Sequence, residues 1–474
     1  MALPLLFYFL NISSFSGIIS ALNIRGGRAV NIKLPAVAIK AINMLENAGF
    51  SAYAVGGFVR DSLLGFTPFD IDISTDATPS QTEEIFSGYT VVKTGIKYGT
   101  VTVVIDSTPL EITTFRSEGD YSDRRRPDSV DFIGDVKADC SRRDFTINAM
   151  CYNQSVGLLD FFGGKEDFDS KVIRCVGRPE ERFSEDPLRM LRALRFSAVL
   201  GFGIENETEK AIFENSHLLA NIPAERVYQE LLKTLCGKNI KNVLMKYYKV
   251  LSVFIPPLEK MRGFDQRNRH HIYDVLTHTA VAVENTPAVP QLRMAALLHD
   301  IGKPYVFSVD ENGTGHFYGH RDKSYELTCR ILKNLKVSFS DYSLITTLVK
   351  YHDVTIIPQE KYVRRALNRH GEQTVRYLID LKRADNKAQN TKDFDRTEEY
   401  DELEQVVERV LRRQDCFDLS HLAVNGRDLV TLGIDPSPEM GKILNTLLDK
   451  VIDGELPNDK SVLLKEAEKI NIKK

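Results

Sequence analysis

Between residues 36 and 48 the apolar side chains recur at helical spacing, and then the period changes. Ser-Ala-Tyr-Ala-Val-Gly-Gly (51–57) reads as a strand running into a turn, and Asp-Ile-Asp-Ile-Ser (70–74) as a second strand. Thr78, Pro79 and Gln81 then have the order of an N-cap, a first-turn proline and the third residue of a capping box. TVTVVI (100–105) and LEITTF (110–115) alternate like the arms of a hairpin, which completes an α+β head to about residue 170. From residue 184 to about 250 the period is helical, as it is through the histidine-rich stretch 270–390. A charged helical run over 393–416 leads to a helical C-terminal segment in which GIDPSPEMG (433–441) is a turn. Neither an internal repeat nor a low-complexity tract interrupts this order.

A chain of 474 residues is too long for one core and implies about three domains. Its net charge of −3 excludes a globally basic nucleic-acid binder, so any such surface must be local. Six cysteines without CxxC spacing suit a reducing, cytoplasmic setting and argue against a thiolate zinc site. Residues 1–24 carry no charge, and LPLLFYFL resembles a short secretory core. It lacks a positive flank and breaks at NISSFSG, too early to span a membrane. Arg25-Gly26-Gly27-Arg28 can be encoded by a purine-rich ribosome-binding run, with Val30 as a GTG start. The native chain is therefore expected to begin near residue 30, with 1–29 a non-native or disordered extension.

Residues two apart on a strand share a face, so Asp70 and Asp72 face one way while Ile71 and Ile73 enter the core. Paired hard oxygens suit Mg²⁺, and two such ions serve phosphoryl transfer. Glu111 on LEITTF is the third carboxylate of this catalytic set. The Gly56-Gly57 turn leaves room for a triphosphate, which Arg60 could reach. A DxD alone is usually a solvated strand edge; the combination GG-x-x-R-D-(x8)-D-x-D is much more specific. RRDFTINAM (142–150) adds Arg142, Arg143, Asp144 and Asn148, read either as a salt-bridge cluster at a helix start or as clamps on phosphate and ribose. In SEDPLRMLRALRF (184–196), Asp186, Arg189, Arg192 and Arg195 recur every three residues, the first three along one helical stripe. They could be a cap and surface arginines. An acceptor-only Asp beside a donor-only Arg also matches the amino/ring-nitrogen edge shared by cytosine and adenine, and mismatches uracil and guanine.

The ordered set GGFVRD, DID, RRDFTINAM, DFFGG, EDPLRMLRALRF and AERVYQELLK resembles the class II CCA-adding enzymes, the bacterial and eukaryotic tRNA nucleotidyltransferases. The resemblance spans roughly residues 35–240. It implies a polymerase-beta-like nucleotidyltransferase head with a mixed or antiparallel sheet, followed by all-helical neck, HD and tail domains. It also implies tRNA, CTP and ATP as partners, without a nucleic-acid template. Gly57, Arg60, Asp70, Asp72, Arg143, Asp186, Arg189, Arg192 and Arg195 fall on that family's nucleotide or metal positions, with Gly56, Arg142, Asp144 and Asn148 in support. Poly(A) polymerases share the head but carry a GRRF-like run where this chain has GIKYGTVTV. CC-adding specialists lack a flexible loop that is intact here at 113–132, which favours full CCA addition, although an A-adding specialist keeps such a loop too.

Seven of the ten histidines lie between 270 and 352. His278, His299, Asp300 and Asp385, with His320 and His352 as further ligands, offer a mixed imidazole/carboxylate set suited to Mn, Fe, Ni or Zn. Their order resembles the HD phosphohydrolase superfamily, which follows the neck in some bacterial CCA-adding enzymes. The implied division is a head over 30–170, a neck over 171–258, an HD domain over 259–395 and an RNA-binding tail over 396–474. The tail resembles the segment that holds the tRNA elbow; the helix start at Met440-Gly441, with Lys442 and Lys450, could face phosphate. A rival reading makes the chain chiefly an HD phosphohydrolase whose head only binds RNA.

Overall fold

The computed structural model describes residues 32–66, 68, 70–118 and 130–472. The expected extension at 1–29 and most of the 113–132 loop lie outside them. The chain forms two compact units, the first ending at Asp186 and the second beginning at Pro187.

In the first unit, besides a short strand at Val172–Ile173, the strands are β1 (Ala52–Val55), β2 (Asp72–Thr75), β3 (Thr90–Val92), β4 (Thr100–Ile105), β5 (Thr108–Thr114), β6 (Arg116–Glu118), β7 (Val130–Phe132), β8 (Met150–Asn153) and β9 (Gly157–Asp160). Seven build one mixed sheet in the order β3-β4-β5-β2-β1-β8-β9, while β6 and β7 pair as a separate ribbon. Only β2 and β5 run parallel, and their register sets Asp72 against Glu111. The predicted β4–β5 hairpin is present. Its two-residue loop, Asp106-Ser107, has φ of +49° and +64°, the double left-handed bend whose twist matches paired strands.

Alternation along these strands sorts side chains between two cores. Ala52, Ala54, Ile71, Ile73, Leu110 and Ile112 join the helix Ala36–Asn47 in one cluster. Tyr53, Val55, Cys140 and Cys151 fill the opposite side. Asp72 and Glu111 alternate with that first apolar set, so they face away from it. The helix Pro79–Ile85 starts as its sequence requires: Gln81 N–H donates to Thr78 Oγ1, and Thr78 N–H donates back to Gln81 Oε1.

Three local expectations need correction. The strand carrying the DxD pair begins at Asp72, so Asp70 sits just ahead of it, although Glu111 N–H still donates to Ile71 O at 3.1 Å. RRDFTIN does not open a helix. It follows the C-terminal end of the helix Val136–Ser141 and passes through a 3₁₀ turn at Thr146–Asn148 into β8. Asp186 is not on the arginine stripe: it ends the helix Pro179–Glu185 in an extended conformation, and the next helix begins at Leu188.

The second unit is almost wholly helical. Helix Leu188–Leu200 packs on helix Ala224–Leu235, burying Leu191, Leu194 and Leu231. Helices Val275–Asn285, Pro290–Leu298, Phe339–Tyr351 and Glu372–Lys387 pack together, each contributing fully buried aliphatics such as Leu276, Leu297, Leu348 and Leu381. A separate core of Leu429, Ile443, Leu447 and Leu463 holds the C-terminal segment together. Among the described residues no helix is long and apolar enough to cross a membrane.

Candidate active site and metal centre

Asp72 is only partly exposed, with Glu111 in register beside it and Asp70 two residues earlier. Burial pushes its carboxyl up to about 6, and the neighbouring Glu111 and Asp70 charges add to the shift against the pull of Arg143. A carboxylate so placed gains from a bound cation, which is the behaviour expected of a Mg²⁺ ligand. Among the described residues, Asp70, Asp72 and Glu111 are nevertheless not a set whose ligand atoms all lie within 4.8 Å of one another.

The arginines are mounted on a buried acid that sequence reasoning missed. Asp139, on helix Val136–Ser141, is fully buried. It accepts from Arg142 Nε at 3.0 Å and Nη2 at 2.8 Å, from Arg143 Nη2 at 3.3 Å, and from the Arg116 N–H at 3.3 Å. Burial alone would raise its pKa, but the Arg142 and Arg143 guanidiniums outweigh that and hold it below the usual carboxylate range. The signal was present as D-x-x-R-R, which places an acid three and four residues ahead of two arginines on one helical face.

Arg143 also donates to Ser74 Oγ at 3.2 Å, which seats it beside Asp72, and its buried Nε has no partner. Gly56 is the glycine this arrangement demands: its φ is +65°, and a Cβ there would lie 2.9 Å from Arg143 Nη1. At Gly57 the added atom would meet nothing closer than 3.6 Å. Arg60 is buried and braced, donating from Nη1 to Asn148 Oδ1 at 2.6 Å and from Nε to Asp61 Oδ1 at 2.8 Å. Asn148 in turn donates to Asp144 Oδ1 at 3.0 Å. Arg60, Asp61, Asp144 and Asn148 thus tie the glycine turn to the RRD segment.

On helix Leu188–Leu200, Arg189 is buried and Arg192 half-buried. Arg195 pairs with Glu230 at 3.1 Å and stacks over Phe196, fastening this helix to helix Ala224–Leu235. In the C-terminal segment, Lys442 and Lys450 pair with Glu439 and Glu466, so each shares its charge with a carboxylate.

The histidine-rich residues converge as predicted. His278, His299, Asp300 and Asp385 bring ligand atoms within 4.8 Å of one another, as do Asp300, His320 and His352. They come from different helices: His278 and Asp385 lie within helices, His299 and His352 just past helix ends, and His320 at a helix start. Burial opposes ionisation of Asp300 and Asp385, yet the facing imidazoles hold both well below the usual range. Lys303, 2.6 Å from Asp300, is a second group the sequence reading passed over. A cavity of about 490 Å³, lined by Lys303, His320, His352 and Asp385 among others, opens onto the cluster.

Three family models match the chain: the poly(A) polymerase head domain over 52–174, the probable RNA- and SrmB-binding site of polymerase A over 201–261, and tRNA nucleotidyltransferase domain 2 over 324–467. A CCA-adding enzyme of Ligilactobacillus salivarius is 33% identical over 445 residues, covering 91% of this chain and 96% of the relative. A Bacillus subtilis CCA-adding enzyme is 47% identical over 207 residues, covering 44% of this chain and 52% of that one. The crystal structure of the Bacillus stearothermophilus CCA-adding enzyme in complex with CTP superposes with a TM-score of 0.68 at 27% identity, covering 92% and 97% of the two chains. With a mixed-sheet head, a helical remainder and likeness along nearly the whole length of such relatives, the chain belongs to the family of class II CCA-adding enzymes.

Proposed function

We propose that this protein is a tRNA nucleotidyltransferase that adds C, C and A to the tRNA 3′ end from CTP and ATP without a nucleic-acid template, working in the reducing cytoplasm. The observation that carries the reading is the sheet register that sets Asp72 beside Glu111 and under Arg143, within a chain that is a third identical to CCA-adding enzymes along its length. The tRNA 3′-hydroxyl attacks the α-phosphate of the incoming nucleotide, the bond to the pyrophosphate oxygen breaks, and pyrophosphate leaves.

Asp70 and Asp72, with Glu111, would hold Mg²⁺, which when bound eases deprotonation of the attacking hydroxyl and neutralises phosphate charge. Arg143, anchored through its Nη2 on Ser74 and Asp139, stands beside those carboxylates as a fixed positive charge for an incoming phosphate. Gly56 keeps the backbone clear of Arg143, and the Arg60–Asn148–Asp144 chain holds the turn that carries it. Asp186 accepts and Arg189 donates, so the pair satisfies the edge of cytosine or adenine and leaves unpaired groups against uracil or guanine. Arg192 supports that helix face, and Arg195 acts through its Glu230 brace. The domain division suggested by the motifs stands as part of the proposal: head 30–170, neck 171–258, HD domain 259–395 and tail 396–474.

The test is incubation with tRNA lacking its 3′ end and CTP, ATP or both, followed by sequencing of product ends. CCA restored only when both nucleotides are present is the expected result, and Asp70→Ala should abolish incorporation of each. Addition of A alone would point to an A-adding specialist, and incorporation surviving in Asp70→Ala would refute the site assignment.

A second activity is favoured by the ligand cluster. His278, His299, Asp300 and Asp385 fit an HD-type centre for Mn, Fe, Ni or Zn that hydrolyses a phosphoester. Chelation followed by excess Mg²⁺ should restore nucleotidyl transfer but not phosphate release. Loss of nucleotidyl transfer along with hydrolysis would refute two separate metal centres.

A further inference from the structure

Helix Glu360–His370 turns Val363 and Leu367 into a core shared with Val375 and Val407. Beside that buried face, Tyr362, Arg365, Ala366 and Arg369 recur at steps of three and four residues, so they stand in one stripe. The stripe lines a cavity of about 220 Å³, and Tyr351, at the end of helix Phe339–Tyr351, lines it too. His370 joins the lining with its ring edge-on to Tyr351, the centroids 4.4 Å apart and the planes at 61°. None of these residues belongs to the head carboxylates, the neck arginines or the histidine cluster.

Three aromatic rings and two guanidiniums thus surround a hollow at the small side chain of Ala366. Tyr362 is 41% exposed, so its ring is not committed to the core. Packing does not consume the arginines either. Asp453 accepts from Arg365 Nε at 2.7 Å and Nη2 at 2.5 Å, which fixes the guanidinium plane and leaves Nη1 outside that pair. Arg369 has neither a hydrogen bond nor an ion pair among the described residues. Lys361 lies 3.6 Å from the same Asp453, and Asp449 also acts on Arg365. Three cations therefore meet two carboxylates, which leaves one positive charge over. Burial and the neighbouring Arg369 lower the pKa of His370, so its ring is neutral at pH 7 and offers a face instead of a charge. A purely apolar ligand has no use for the guanidiniums, and a bare phosphate has none for the rings. Aromatic faces stack bases of every kind, and guanidiniums take phosphate oxygens in pairs.

We infer that this hollow is a further nucleotide site, apart from the head and neck, which takes one nucleotide by stacking its base and pairing its phosphate. The base lies against the tyrosine rings and the phosphate on Arg369 and Arg365. Stacking carries no base code, so the site accepts guanine and uracil as readily as cytosine and adenine, unlike the Asp186/Arg189 edge. A free nucleotide and an unpaired residue of an RNA chain offer the same chemistry. The inference goes beyond the transferase and hydrolase readings and rests on neither.

Guanosine 5′-monophosphate is the probe, because guanine mismatches the neck edge while a stacking site tolerates it. Calorimetric titration of the full chain in EDTA, which leaves no metal to hold phosphate elsewhere, should show one saturable site. Ribose 5-phosphate, which lacks a base, should not fill it. Tyr362→Ala with Arg369→Ala should weaken binding about tenfold or more. Ala366→Phe removes no contacting group and fills the hollow, so it should abolish binding. All three positions are exposed or half-buried, and melting curves that match the parent confirm that each variant is folded. A labelled single-stranded oligouridylate separates the two sources. If it binds more tightly than the mononucleotide and is lost in the same variants, the site receives RNA; if it binds no more tightly, the site receives free nucleotide. Binding of either probe that survives unchanged in both variants overturns the inference, as does no binding of either probe to the parent. Guanosine monophosphate binding lost only with Asp186→Ala and Arg189→Ala also overturns it, and at the same time refutes the base-edge reading of the neck.

Discussion

Asp72→Asn should make the metal-free protein more stable while destroying its nucleotidyl transfer. The carboxyl titrates near 6 in the folded chain, against about 3.9 for an unperturbed aspartate. The folded state therefore binds this proton more tightly than the unfolded state does. Its stabilising contribution is complete below pH 4 and is lost as pH rises through about 6. Roughly two units correspond to about 3 kcal/mol, and partial solvent access lowers the expected gain at pH 8 to about 1–3 kcal/mol. Asparagine is nearly isosteric and neutral, so it escapes both the burial cost and the repulsion from Glu111 and Asp70. For a unit of this size the gain should appear as a rise in Tm of about 2–10 °C. Thermal melts in EDTA at pH 8 and pH 5 provide the assay. The gap should be widest at pH 8, shrink towards pH 5, and narrow when Mg²⁺ is added to the wild type at pH 8. If Asp72→Asn melts at or below the wild type at pH 8, or its advantage is the same at both pH values, the argument that Asp72 is held ready for a cation is wrong.

Two further changes probe the arginine seat and the base reader. Asp139→Asn leaves the half-buried Arg142 and Arg143 without their counter-charge, so urea unfolding at pH 7 should show a loss of about 2–4 kcal/mol. Asp139 titrates below the usual range, so this penalty should be full at neutral pH and fade only as pH falls through its depressed folded value; a loss under about 1 kcal/mol would show that other groups hold the arginines. Asp186→Ala combined with Arg189→Ala should relax nucleotide choice while leaving some transfer, because the metal-holding carboxylates are untouched. Competition assays in which UTP and GTP are rejected as strongly as before would refute the base-edge reading.

Local structure was legible wherever it depended on neighbours in sequence. The Thr78/Gln81 capping box, the β4–β5 hairpin and the inward Ile71 and Ile73 follow from near-neighbour hydrogen bonds and a period of two, and all three are present. Partners far apart in sequence were not legible. Arg60 follows the Gly56-Gly57 turn by three residues, but the Asn148 that braces it is 88 residues away. Arg195 continues a three-residue rhythm along its helix, and its partner Glu230 lies on another helix.

Which residue types are present, and in what order, is a property of the chain, and it was enough to mark the head carboxylates and arginines and four of the histidines as chemistry. How those groups divide their work is a property of distance between segments far apart in sequence. The parallel register of β2 on β5 sets Glu111 beside Asp72, and helix packing places one imidazole pair on each oxygen of Asp300. Charge and hydrogen-bond energies fall off within a few ångströms, so only the packed fold could decide which carboxylate is raised, which arginine is braced and where a metal ion finds its ligands.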